Sequence, residues 1–119
     1  MTVTQARAQL EAVLMDGGLR VQPAGVASPP SVFVTQGTPW TAPAQLGGRA
    51  RIARWVIVGI VAPSSEASIA EAEALAEQVD LACAALPNPW GMPTVETPGL
   101  LILAGTPYLA FRATIETVI

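Results

Sequence analysis

Apolar positions recur at two different periods along this chain, and the change of period marks out its elements. Val3, Ala6, Leu10, Val13 and Leu14 follow helical spacing. Thr2 precedes them as an N-cap, and Gln5 completes a T-x-x-Q capping box. Gly17-Gly18 stops the pattern, because glycine enters the left-handed conformation at little cost. A first amphipathic helix is therefore predicted over residues 3–16. A second helical pattern occupies "SSEASIAEAEALAEQVDLACAAL", predicted helical over 65–86. Ser64, Ser65 and Ser68 offer caps there, and Glu66 and Glu71 suit the positive end of the helix dipole. Ile69, Ala72, Ala76, Val79, Cys83 and Leu86 form its apolar seam, with Leu75 beside it, and Pro87 ends it.

Elsewhere the period is two. In "RARIARWVIVGIVAP", residues 49–63, Arg49, Arg51, Ala53, Trp55, Ile57 and Val61 share one face. Ala50, Ile52, Arg54, Val56, Val58 and Ile60 share the other. Beyond Trp55 both faces are apolar. A strand looks like this when it is buried on both faces, or when its second face meets another subunit. A central strand near 50–62 is predicted, with its arginine-bearing end projecting from the core. "LRVQP" reads as a short strand ended by Pro23. "SVFVTQG" reads as a better one, with Val32 and Val34 opposed to Phe33. "TPWTAPAQLGGRA" reads as an irregular loop, long enough to serve a function. After the rigid loop "PNPWGMP", strands are predicted in "TVET", "LLILA" and "YLAFRATIETVI", separated by Pro98-Gly99 and Gly105-Thr106-Pro107. In the last, Leu109, Phe111, Ala113 and Ile115 oppose Tyr108, Arg112, Thr114 and Glu116.

This order predicts one α+β domain over residues 1–119, a mostly antiparallel sheet with two helices packed on one face. Ile57, Val58, Val79, Phe111 and Ile115 are expected to share its core.

Composition narrows the function. The chain is 51% hydrophobic and 13% charged, which argues against intrinsic disorder. Net charge is −3, so there is no global footprint for nucleic acid. Every basic residue is an arginine, which with the alanine richness suggests a GC-rich genome. The apolar run from Trp55 to Ala62 is closed by Pro63, well short of the roughly 20 residues that a spanning helix needs. The N-terminus lacks the basic start and apolar core of a signal peptide, so a cytoplasmic product is expected.

The residues for familiar catalysis are missing. There is no histidine, which removes Ser-His-Asp and Cys-His arrangements. Cys83 stands alone among apolar neighbours, so neither a disulfide nor a zinc site is available, and a buried thiol is expected. No phosphate-cradling glycine motif occurs. No enzymatic activity and no cofactor are expected. Glu73, Glu77 and Asp80 recur at helical spacings of four and three. Such a stripe offers oxygen ligands to a hard cation, but a solvated helix face is the simpler reading. In an oligomeric ring it would line a channel. Arg49, Arg51 and Arg54 are suited to gripping phosphate, to pairing with carboxylates of the same or a neighbouring subunit, or to keeping a strand end soluble. Trp40 and Trp90 stand between prolines, either as lids on the core or as interface anchors.

The capped first helix, the short strands and long loop, "RARIARWVIVGIVAPSSEASIAEAEALAEQVDLACAAL" as strand, turn and helix, and the closing "TPYLAFRATIETVI" together resemble the tail terminator proteins of long-tailed bacteriophages. More broadly they resemble small tail-completion and neck proteins; the composition looks like a phage of an actinobacterial host. The resemblance implies a structural protein forming a ring, typically a hexamer, at the head-proximal end of the tail tube. Such a ring ends tube polymerisation and presents a surface for joining the head. Its implied partners are further copies of itself, the tail tube protein and a head-side connector, with DNA passing through without specific binding and no membrane involved. It would be made in the host cytoplasm and end in the virion. Subunit contacts are then expected at Arg49, Arg51, Arg54 and Trp40, and a channel lining at Glu73, Glu77 and Asp80. A head-closure or connector protein, or a small ligand-binding regulatory domain, would share these features.

Overall fold

The computed structural model describes residues 1–44, 48–65 and 67–119. Its elements are α1 (Val3–Asp16), β1 (Val21–Gln22), β2 (Ser31–Pro43), β3 (Arg51–Pro63), α2 (Ile69–Cys83), β4 (Thr94–Val95), β5 (Gly99–Leu103) and β6 (Thr106–Val118). The fold is α+β: the sheet runs β1-β2-β3-β6-β4, with β5 also paired to β6. All pairings are antiparallel except β1 with β2.

Alternation along β3 explains the architecture. Trp55, Ile57 and Val61 face the helices. There they join Leu10 and Leu14 of α1, Leu75 and Val79 of α2, and Phe111 and Ile115 of β6 in one buried cluster. Both helices therefore lie on the same face of the sheet. Val58 and Ile60 point the other way, into a second cluster with Phe33 and Ala110. The expected single core is thus divided by the sheet. Ile57, Val79, Phe111 and Ile115 share the helix side, while Val58 is buried on the opposite side. The two-sided apolar strand has its explanation here. Among the described residues no helix covers the second face; instead Leu101 and Leu103 of β5 and Tyr108 of β6 fold against it.

α1 begins and ends where the sequence places it, with both bonds of the capping box formed. Gly18 adopts the left-handed conformation just beyond it, at φ 86°. α2 is shorter than predicted. Ser68 is its cap, its side chain accepting from the Glu71 N–H, so the first helical residue is Ile69. Ser64 and Ser65 form a turn after β3 instead, and Glu66 lies outside the described residues. At the far end, Ala84 to Leu86 close as tight turns before Pro87. Ile69, expected in the seam, is exposed in the first turn.

The segment predicted as a loop after Gly37 is largely strand. β2 continues to Pro43, and its pairing with β3 shifts register between Gln36 and Thr41. That bulge contains Pro39, which has no N–H to give to a ladder. Gln45, Leu46 and Gly47 of the predicted loop lie outside the described residues. The last turn is also displaced: Ala104 and Gly105, at φ 50° and 81°, form the two-residue connection between β5 and β6. Two positive φ values fit a tight hairpin turn of the primed type. Pro107 belongs to β6, where its carbonyl accepts from the Ser64 N–H at 3.0 Å, beyond the last β3 partner.

Candidate interaction site

No helix of the described residues is long and apolar enough to cross a membrane. Nor do three His, Cys, Asp or Glu side chains gather closely enough among them to hold a metal ion. Cys83 is buried, and burial, with a smaller contribution from the Asp80 charge, pushes its thiol pKa up to about 11. A thiol held protonated in this way is not a nucleophile at neutral pH.

The arginines divide. Arg54, in the middle of the second face, donates from Nε to Glu116 Oε1 at 2.7 Å, with Nη2 2.6 Å from the same oxygen. The register of β3 against β6 places these two residues directly opposite each other. Arg54 also donates to the Thr38 carbonyl, and its alkyl stem covers Gly37. It therefore pairs within its own chain. Arg51 reaches only the Thr41 hydroxyl, at 3.2 Å, and Arg49 is exposed with no side-chain partner among the described residues. Arg112, which sequence reasoning passed over, is exposed on the second face and has no ion pair among the described residues. Its alternation with Phe111 and Ala113 was the available signal.

Trp40 sits on β2 rather than in a loop. It packs edge-on against Trp55, with ring centroids 5.7 Å apart, and remains 40% exposed. Arg7 covers Trp55 from the other direction, 5.8 Å from the ring centroid, while donating to the Val34 carbonyl at 2.6 Å. Trp40 thus closes one end of the helix-side core with part of its ring still open to solvent. Trp90 is buried in that core, and its indole N–H donates to Gln9 Oε1 at 2.8 Å. It is a lid of the core.

Glu73, Glu77 and Asp80 all lie on the outer face of α2, opposite Ala72, Leu75 and Val79. None forms an ion pair among the described residues. Beside them stands Leu81, 76% exposed, which breaks the polar pattern of that face.

The second face of the sheet is concave. A groove of about 270 Å³ runs between β2 and β5, lined by Phe33, Thr35, Val56, Val58, Leu101 and Leu103, with Arg112 at its wall. Arg112 also borders the adjoining cavity toward Glu96 and Gly99. β5 forms the edge of the sheet, and its Leu100 and Ile102 are 67% and 62% exposed. In comparisons with known proteins, no family profile matches this chain and no curated protein shows significant similarity to it.

Proposed function

We propose that this protein is a structural component of a phage virion, assembling as a ring at the head-proximal end of the tail tube. The observation that supports this reading most is the incompleteness of its surface. Among the described residues, one sheet face carries no helix, the edge strand beside it is apolar with its outer edge open, and charges of opposite sign stand without ion pairs on separate elements. Exposed apolar surface bordered by polar groups is what proteins reserve for other macromolecules. The arrangement suits a protein that is finished only by its neighbours. In this role it works through contacts rather than turnover: copies of itself close the ring, the tail tube protein meets one rim and a head-side connector the other.

The test is to remove the protein during phage production. Tails of uncontrolled length that fail to join heads are expected. Tails of normal length with a joining defect alone would point to a connector, and normal infectious particles would reject a structural role. The purified protein should sediment as a discrete closed oligomer.

A further inference from the structure

We infer that the outer face of α2 in one copy docks into the concave sheet face of the next, with Leu81 as the anchor and Glu77 and Asp80 meeting Arg112. This rests on the ring reading and specifies which surfaces make the ring.

Two surfaces of the same chain match. The groove has an apolar floor, with Val56, Leu101 and Leu103 only half-buried, and among the described residues its one charged lining residue is Arg112. No carboxylate among the described residues lies within ion-pairing distance of that guanidinium, Glu96 included. On α2 the pattern is reversed. Leu81 projects from the outer face in line with exposed Ala70 and Ala74, and Glu73, Glu77 and Asp80 lie along one flank of that line. An amphipathic helix commonly enters an apolar groove through such an anchor. The charges fix its orientation, since an acidic flank beside Arg112 is attractive and the reverse placement is not. Charge complementarity identifies the occupant: the surface that fits this groove is carried by the chain itself.

The two surfaces lie on opposite sides of the molecule, because α2 packs on one face of the sheet and the groove is on the other. A copy that has used its groove still presents its helix. The contact is therefore head-to-tail, and such contacts propagate until a rotation closes them into a ring. The acidic stripe then belongs to the subunit boundary rather than to the channel wall.

Sedimentation velocity on the full chain tests this. Leu81→Asp and Arg112→Glu change exposed residues and should leave the circular dichroism spectrum of the folded protein unchanged. Each should raise the concentration of half-assembly about tenfold or more, as expected for an interface anchor. Glu77→Arg combined with Arg112→Glu should bring it back to within about threefold of the parent, the signature of a direct pair. As a second measurement, Leu81→Cys with Thr35→Cys should give, under oxidation, a ladder of covalent trimers and larger species. If the parent protein is monomeric at every concentration, the ring reading falls and this contact with it. If the parent assembles but neither single variant weakens it, or the charge exchange fails to restore it, the contact falls and the ring reading stands. Crosslinks that stop at dimers would show a two-fold contact and overturn the head-to-tail arrangement.

Discussion

Gly59 and Phe111 face each other across β3 and β6, and their coupling is a direct test of how the helix-side core is built. A Cβ placed on Gly59 would land on the Phe111 ring carbons, so the ring rests on the bare backbone of the glycine. Phe111 is fully buried, and Phe111→Ala should cost about 3–5 kcal/mol, from lost transfer energy and the cavity left behind. Gly59→Ala alone should cost about 1–3 kcal/mol, because the ring has to move within a packed interior. In the Phe111→Ala background the obstruction is gone. There the added methyl occupies part of the hole and restricts the unfolded chain, so Gly59→Ala should be neutral or stabilising by up to about 1 kcal/mol. The two substitutions should therefore couple by about 1–4 kcal/mol. Guanidinium unfolding of the four proteins, followed by the combined fluorescence of Trp40, Trp55 and Trp90, measures this cycle directly. Additivity within about 0.5 kcal/mol would refute the packing argument, even if both single variants were destabilised.

Ala104→Asn should stabilise the protein by about 0.5–1 kcal/mol, since Ala104 holds a positive φ that asparagine tolerates better; a lowered thermal midpoint would count against the turn assignment. Gly17→Val should destabilise by about 1–3 kcal/mol, because any Cβ there comes within 2.6 Å of the Ala82 Cβ where the helices meet; chemical unfolding at equilibrium would measure it. Cys83 should resist iodoacetamide at pH 8 in the native protein and react once unfolded, as read by mass spectrometry. Its raised pKa favours the folded state fully below the unfolded thiol's value of 9.0 and ceases to do so as pH rises through about 11. Stability should accordingly decline across that window, and Cys83→Ala should remove this part of the decline.

Much of the fold could be read from the chain because its strongest elements carry their own signals. Thr2 and Gln5 announce α1, and the alternation of β6 assigns each residue to the face it occupies. What could not be read depended on distant partners. Val58 looks like any core residue in sequence, and only the hairpin carrying Leu101 and Leu103 decides that it is buried on the far side. Two prolines made 37–43 look irregular, yet a bulge absorbs one of them and pairing with β3 resumes. For the candidate site, the acidic residues of α2 were visible through their spacing. The groove was not, because it exists only once the β5–β6 hairpin has folded toward β2. Arg54 and Glu116 carry no local hint of each other; a register set between strands on either side of α2 brings them together.

The position of β6 in the sheet bears on how the protein is made. β3 pairs with β2 soon after both leave the ribosome, but its other edge waits for β6. Pro63 pairs with Tyr108 and Ile52 with Val118, so all of α2 and the connecting segments must be synthesised first. Until then a long, apolar strand has one row of backbone donors and acceptors open, the condition in which nascent chains pair with the wrong partner. The late strand also enters between β3 and the β4–β5 edge rather than adding to the outside. Closing such distant pairs is slow compared with forming the helices. Expression at lower temperature, or with an excess of chaperones that bind nascent chains, should therefore raise the soluble yield.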